Sequence, residues 1–311
     1  MVLEKIKFEK HPKPVLSPKK DSWWERYATY NPAAVVKDDK VYLFYRAEHT
    51  RENYISKIGL ATSTDGFNFK RESPEPILEP SCELEIRGLE DPRAVKIDDN
   101  YYLAPSPWDG KVTRITLAKA ISEDLTKWER LDSCLFHERP SIKHGCLFQE
   151  KIDGKYMMYF RDSNHGISLA SSTDLKDWEI KKDSIIEPRD CGFFDSRTVS
   201  PATPPIILDN HIILFYIGSD MVCPTQSRLK DDFHEYGLGA ILFNKDDPTK
   251  VIERTGVPLM RPEFDWERLG KVNNVIYPTG LVKFKDKYFL YYGAADNVIG
   301  VATTQLDDIF K

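Results

Sequence analysis

The run Gly88-Leu89-Glu90-Asp91-Pro92-Arg93 puts two carboxylates and a guanidinium within four consecutive positions, directly before the apolar segment Ala94-Val95-Lys96-Ile97. Proline fixes its own φ and biases the residue before it toward extended backbone, so Asp91 is expected to be extended. Arg93 can hold a carboxylate or sugar hydroxyls in fixed geometry. Other charges fall at the ends of aromatic-rich apolar runs. Arg46 ends Val41-Tyr42-Leu43-Phe44-Tyr45 and Arg161 ends Tyr156-Met157-Met158-Tyr159-Phe160, while Asp220 follows Phe215-Tyr216-Ile217-Gly218-Ser219 and Asp296 follows Tyr291-Tyr292-Gly293-Ala294-Ala295. Asp195 and Arg197 share one short segment, and Glu263, Asp265 and Glu267 cluster in another. Carboxylates combined with arginines and aromatic rings suit glycosidic bonds. Cleaving such a bond takes one acid to protonate the leaving oxygen and a second group, or an incoming anion, to supply the nucleophile. Trp23, Trp24, Trp108 and Trp266 are candidate stacking faces for sugar rings.

Several other chemistries lack their signatures. There is no GxSxG elbow, P-loop or GxGxxG turn, and the seven histidines have no HxxxH or HExxH spacing, so no metal and no bound cofactor is expected. The five cysteines are widely spaced with no CxxC pair, which reads as free thiols in a reducing compartment. With 49 acidic against 44 basic side chains the net charge is −5, which disfavours a nucleic-acid surface. No apolar run approaches the ~20 residues of a membrane span. The start, Met1-Val2-Leu3-Glu4-Lys5-Ile6-Lys7, has no signal-peptide h-region. A cytoplasmic location without a membrane partner is the expectation, with a homo-oligomer left open.

The elements that must position these residues repeat. An aromatic-rich apolar run, a polar turn and a second apolar run ending in a small residue occur five times, for example 41–46 with Ile58-Gly59-Leu60-Ala61, and 288–293 with Ile299-Gly300-Val301-Ala302. The runs are short and rich in β-branched and aromatic residues, as strands are. Ser-x-Asp-Gly and Ser-x-Asp-Leu segments supply turn chemistry. Strand, hairpin, strand, loop and strand at a spacing of about 50–70 residues describes a propeller blade. The fold expected is all-β, a five-bladed β-propeller forming one domain over 1–311. Its inner strand ends would converge Arg46, Arg161, Asp220 and Asp296 near the axis.

From about Asn31 to Asp307 the sequence resembles glycoside hydrolase family 130, the five-bladed β-propeller mannoside phosphorylases and mannosidases. The resemblance rests on Gly88-Leu89-Glu90-Asp91-Pro92-Arg93, on Tyr291-Tyr292-Gly293-Ala294-Ala295-Asp296 and on Asn31 lying fifteen positions before Arg46. The segments Lys151-Ile152-Asp153-Gly154-Lys155-Tyr156 and Asn244-Lys245-Asp246-Asp247-Pro248-Thr249-Lys250-Val251 look like the family's linkers. The resemblance implies an inverting enzyme on β-linked mannosides with an oligosaccharide substrate. It makes Asp91 the general acid, acting through a hydroxyl of the bound mannose, and gives Asn31, Arg46, Glu90, Arg93 and Asp296 to the sugar. A proton-donating carboxyl needs a raised pKa; burial and Glu90 would raise that of Asp91, and Arg93 would oppose them.

The resemblance leaves the nucleophile open. The family's phosphorylases hold phosphate with arginine, lysine, histidine and tyrosine. Arg161 and Tyr236 match two of these, and Arg197 could replace the lysine, whose place Thr198 takes; Ile217 stands at the histidine position. Charge-assisted bonds contribute about 1.5–3 kcal/mol each, so this deficit points to hydrolysis by water. Hydrolysis takes a carboxylate base, for which Glu267 is the first choice and Asp195 the second; Ser200, where related hydrolase-like sequences often carry glutamate, argues the other way. The alternatives are a phosphorylase using inorganic phosphate as co-substrate, with Arg161, Arg197 and Tyr236 as its cradle, and a non-catalytic glycan-binding propeller.

Overall fold

The structure, a computed structural model, describes residues 2–135, 139, 141–220 and 235–306. It is nearly all β, and five antiparallel sheets form the blades of a propeller. Blade 1 pairs Ala28–Lys37, Lys40–Glu48, Lys57–Ser63 and Lys70–Arg71 in that order. Blade 2 uses Ala94–Ile97, Asn100–Leu103, Ile115–Ala120 and Trp128–Leu135, and blade 3 uses Lys143–Leu147, Tyr156–Arg161, Ile167–Ser172 and Trp178–Ile186. Blade 4 is built on Thr198–Pro201, His211–Ser219, Tyr236–Asn244 and Val251–Arg254. Blade 5 joins Ile276–Phe284, Lys287–Ala294 and Val298–Thr304 to Glu9–Lys10 from the start of the chain, so the ring is closed by a long-range pairing of Glu9 with Thr303. The expected repeats correspond to these blades, and the apolar clusters lie largely between neighbouring sheets, as where Phe44 and Leu60 of blade 1 meet Leu103 and Ala118 of blade 2.

Two features recur in the blades. In the Ser-x-Asp turns one carboxylate caps the following backbone: Asp65 Oδ1 accepts from the amides of Phe67 and Asn68, and Asp174 Oδ1 from those of Lys176 and Asp177. In blades 1, 4 and 5 a tyrosine of the second strand lies across a glycine of the third. The register pairs Tyr45 with Gly59, Tyr216 with Gly239 and Tyr292 with Gly300, and a Cβ on any of these glycines would come within 2.4 Å of the ring. Each of these tyrosines is buried and hands its hydroxyl to a buried carboxylate: Tyr45 to Glu25 at 2.9 Å, Tyr216 to Asp195 at 2.7 Å and Tyr292 to Glu267 at 2.7 Å.

Among the cysteines the expectation of free thiols holds for Cys82 and Cys146 but fails for Cys191, which is disulfide-bonded. The side chains of Cys134 and Cys223 lie outside the described residues. Among the described residues no helix is long and apolar enough to cross a membrane.

Candidate active site

The innermost strands surround a cavity of about 180 Å³. Asn31, Arg46, Asp91, Arg161, Tyr236 and Asp296 line it, together with Lys143, His144, Thr198, Ser200, Ile217 and Tyr277. Of the four charges expected to converge, Arg46, Arg161 and Asp296 do so; Asp220 lies off the cavity, its Oδ1 accepting from the amide of Glu235.

Local backbone geometry turns these side chains inward. Asn31 (φ 45°), Asp91 (φ 45°), His144 (φ 61°) and Asp296 (φ 50°) all occupy the left-handed region, which Asn, Asp and His tolerate better than other side chains. Asn31 and His144 sit where the pairing register shifts, between Tyr30 and Ala33 and between Lys143 and Cys146. Such bulges re-aim a side chain. The expected extended conformation of Asp91 is overturned. Its side chain is held by three partners and its carbonyl by Arg93 Nη1 at 2.8 Å, and these contacts outweigh the bias imposed by Pro92. Gly88, at φ 122°, lets the motif pass over Ser56, whose backbone nitrogen would be 2.3 Å from an added Cβ.

Asp91 is the hub. Its Oδ1 accepts from Asn31 Nδ2 at 2.7 Å and Arg46 Nη1 at 3.0 Å, and its Oδ2 lies 3.0 Å from His144 Nε2. Arg46 also bonds Glu90 at 2.7 Å and Glu48 at 2.9 Å, and Lys271 reaches Glu48 at 2.6 Å. Burial pushes the Asp91 carboxyl up, but Arg46 and His144 outweigh it and hold the group well below the usual carboxylate range. The opposing cation is therefore Arg46, where Arg93 was expected. Burial, against Arg46 and with the help of Asp91, raises Glu90. Burial likewise pushes Asp296 up to about 6. Ionised Asp296 is thus penalised above pH 6, in the folded state only, and the stability it costs is fully lost once pH has risen through that value. Asp296→Asn is expected to stabilise the fold at pH 7.5 by about 3 kcal/mol, read as a higher Tm, while impairing turnover.

On another part of the cavity wall stand Lys143 and Arg161. Burial lowers the Lys143 ammonium, and Arg161 lowers it further. The Nε of Arg161 is buried with no hydrogen-bond partner among the described residues. Burial raises Tyr236, against the nearby Arg197. Arg197 itself is exposed and is not part of the cavity wall.

Arg93, Glu267 and Asp195 are, like Arg197, placed off the cavity wall. Arg93 is buried and braces backbone: it donates to the carbonyls of Asp91 and Pro92 and, at 3.2 Å, to that of Pro201 in blade 4. Glu267 is fully occupied by Tyr292, by Lys10 Nζ at 2.8 Å and by the amides of Glu263 and Phe264. Asp195 pairs with Arg189 Nε at 2.7 Å, with Tyr216 and with Arg254. Both acids belong to the repeated tyrosine–carboxylate buttress and neither lines the cavity. Asp195→Asn should cost about 3 kcal/mol, because two arginines lose a buried partner; the protein that stays folded should keep the wild-type KM for its sugar substrate. Trp24 is core, at 1% exposure, and Glu90 stands behind Arg46 outside the wall.

Sequence reasoning missed Lys143, His144 and Tyr277. Lys143-His144 looks like an ordinary strand start, and only the bulge brings His144 inward. Asn31 has its own support: a Cβ on Gly293 would lie 2.0 Å from Asn31 Oδ1 and 2.7 Å from the Asn31 backbone nitrogen. Gly293→Ala should displace Asn31 and lower kcat/KM about 100-fold with the fold retained, as displacements near 1 Å do; steady-state kinetics with circular dichroism checks this.

A propeller with an acid, arginines and a lysine gathered in one axial cavity has the architecture of a carbohydrate-active enzyme. The family profile described as β-1,4-mannooligosaccharide phosphorylase matches residues 9–311. A 1,2-β-oligomannan phosphorylase of Thermoanaerobacter sp. strain X514 is 39% identical over 305 residues, covering 96% of each chain, and a β-1,2-mannobiose phosphorylase of the same organism is 36% identical, again over 96% of each. A solved glycosyl hydrolase from Bacteroides ovatus superposes with a TM-score of 0.85 at 30% identity, over 95% of this chain and 92% of that one. The chain belongs to glycoside hydrolase family 130 and is an enzyme acting on β-mannosides.

Proposed function

We infer that the protein is an inverting β-mannoside phosphorylase with β-1,2-linked mannooligosaccharides as substrates, using inorganic phosphate to release mannose 1-phosphate. The observation that carries this reading is the composition of the cavity wall. Lys143 and Arg161 stand together with Tyr236, and the only wall carboxylates among the described residues are Asp91 and Asp296. An inverting hydrolase needs a carboxylate that activates water on the face of the sugar opposite the acid, and in this reading Asp296 holds the mannose instead. Glu267 and Asp195 are committed to the blade buttresses, and Ser200, where a glutamate would supply that base, is a wall residue bonded to His144. Ile217 and Thr198 do line the cavity without charge, as the sequence suggested, but Lys143 supplies the cation missed there. The phosphorylase names of the two relatives point the same way and suggest the β-1,2 linkage.

In this reading mannose occupies the side of the cavity formed by Asn31, Arg46 and Asp296, and phosphate the side formed by Lys143, Arg161 and Tyr236. Asp91 lies between the two groups and provides the acid for the leaving oxygen, through a sugar hydroxyl as the family resemblance implies. The two cations screen phosphate from Asp91 and orient one of its oxygens toward the anomeric carbon. Initial rates with β-1,2- and β-1,4-mannobiose over a phosphate titration test the proposal. Saturable dependence on phosphate with preference for the β-1,2 disaccharide is expected, and a rate indifferent to phosphate would refute it.

A further inference from the structure

His144 is buried, at 1% exposure, yet borders the cavity and touches three functional groups. Its Nε2 faces Asp91 Oδ2 at 3.0 Å, its Nδ1 lies 2.6 Å from Ser200 Oγ, and the Tyr277 hydroxyl is 3.2 Å from Nδ1. An ionised Asp91 can only accept, so Nε2 carries the hydrogen and Nδ1 accepts from Ser200. Both Asp91 oxygens are then filled by donors, and the carboxyl that must release a proton holds none.

We propose that His144 stores the proton that Asp91 delivers, and that phosphate binding beside Lys143 and Arg161 loads it. The proposal rests on the phosphorolysis reading and goes beyond it. The groups facing the imidazole are Asp91, Lys143, Arg93, Ser200 and Tyr277. Burial holds the imidazole well below its ordinary value, with the charge of Lys143 the next cause; the hydrogen bond to Asp91 pulls it up and Arg93 pushes it down again. A phosphate dianion beside Lys143 offsets that cation and makes the imidazolium favourable.

The proton balance closes. On phosphate arrival Nδ1 takes one proton from solvent. During cleavage the Nε2 proton passes to Asp91 and, through the sugar hydroxyl, to the departing oxygen, which keeps the electron pair of the broken C1–O bond. A phosphate oxygen forms the new bond to C1 with its own lone pair. The phosphate ester releases its remaining proton to solvent, and the neutral imidazole exchanges its Nδ1 proton for one on Nε2. One proton enters and one leaves per turnover. Without phosphate the acid stays discharged, which disfavours attack by water.

Calorimetric titration of inorganic phosphate at pH 8, in two buffers of different ionisation enthalpy, measures protons taken up on binding. Wild type should take up markedly more protons per phosphate than His144→Gln, whose amide can still donate to Asp91 but accepts no proton; the contribution of phosphate itself cancels in the difference. With β-1,2-mannobiose the variant should lose 10- to 100-fold in kcat/KM at pH 7.5, its alkaline limb should move down by a unit or more, and activity should recover toward low pH. His144→Asn, compatible with the left-handed backbone, is expected to behave alike if the glutamine variant folds poorly. Equal proton uptake in wild type and variant would overturn the proposal, as would a loss uniform across pH, which marks a purely structural role. Failure of wild type to bind phosphate would instead overturn the phosphorolysis reading and the loading step with it. Phosphate binding without His144-dependent proton uptake would remove this inference alone.

Discussion

Asp91→Asn is expected to lower kcat/KM on β-1,2-mannobiose by at least about a thousandfold while leaving the melting curve close to wild type. General acid catalysis contributes roughly 10²–10⁴-fold. The asparagine amide can still accept from Asn31 or Arg46 but carries no transferable proton. The carboxylate also sets the geometry of its neighbours, since Asn31, Arg46 and His144 all converge on it. The loss should therefore appear mainly in kcat, with mannobiose still bound through Arg46 and Asp296. Removing a negative charge that Arg46 shares with Glu90 and Glu48 leaves that guanidinium two carboxylate partners, which is why the fold should survive. Steady-state kinetics and thermal denaturation on the same preparation test both halves, and wild-type-like rates would remove Asp91 from its role.

The second large effect concerns the cationic wall. Arg161→Ala is expected to reduce kcat/KM for phosphate about 10- to 100-fold, with Lys143→Met similar, since hydrogen bonds to charged groups contribute about 1.5–3 kcal/mol each. KM for mannobiose should change far less. Arg161 pulls the Lys143 ammonium down, so removing Arg161 leaves Lys143 more fully charged and offsets part of that loss; the double variant should therefore lose more than the sum of the single losses. A hydrolase would show the opposite pattern, with both variants close to wild type at any phosphate concentration.

Much of the fold was legible because a blade is a local sentence repeated. The strand and hairpin signals around Val41 to Ala61 and Tyr288 to Ala302 needed no long-range information. Closure through Glu9–Lys10 was not legible, since two polar residues carry no strand signal of their own. The motif holding Asp91, with Arg46, Arg161 and Asp296 at strand ends, led to the cavity because strand ends of successive blades share one rim. Glu267 and Asp195 misled for a physical reason. A buried carboxylate with cationic partners reads the same in sequence whether it faces a substrate or a tyrosine hydroxyl, and the pairing of Tyr216 and Tyr292 with glycines exists only in the register. Lys143 and His144 were invisible because a bulge reverses the alternation that assigns faces. Arg93 was misplaced for the related reason that an arginine beside a catalytic acid can serve the backbone instead of the ligand.

Phosphorolysis requires that an anion, rather than water, attacks the mannoside in this cavity. Phosphorus and proton NMR of the enzyme with β-1,2-mannobiose, followed from the first turnover with and without inorganic phosphate, tests it directly. Phosphorolysis gives α-mannose 1-phosphate and mannose in equal amounts when phosphate is present, and leaves the disaccharide unchanged when it is absent. Free mannose accumulating without phosphate, at a rate matching that with it, would show that water is the nucleophile.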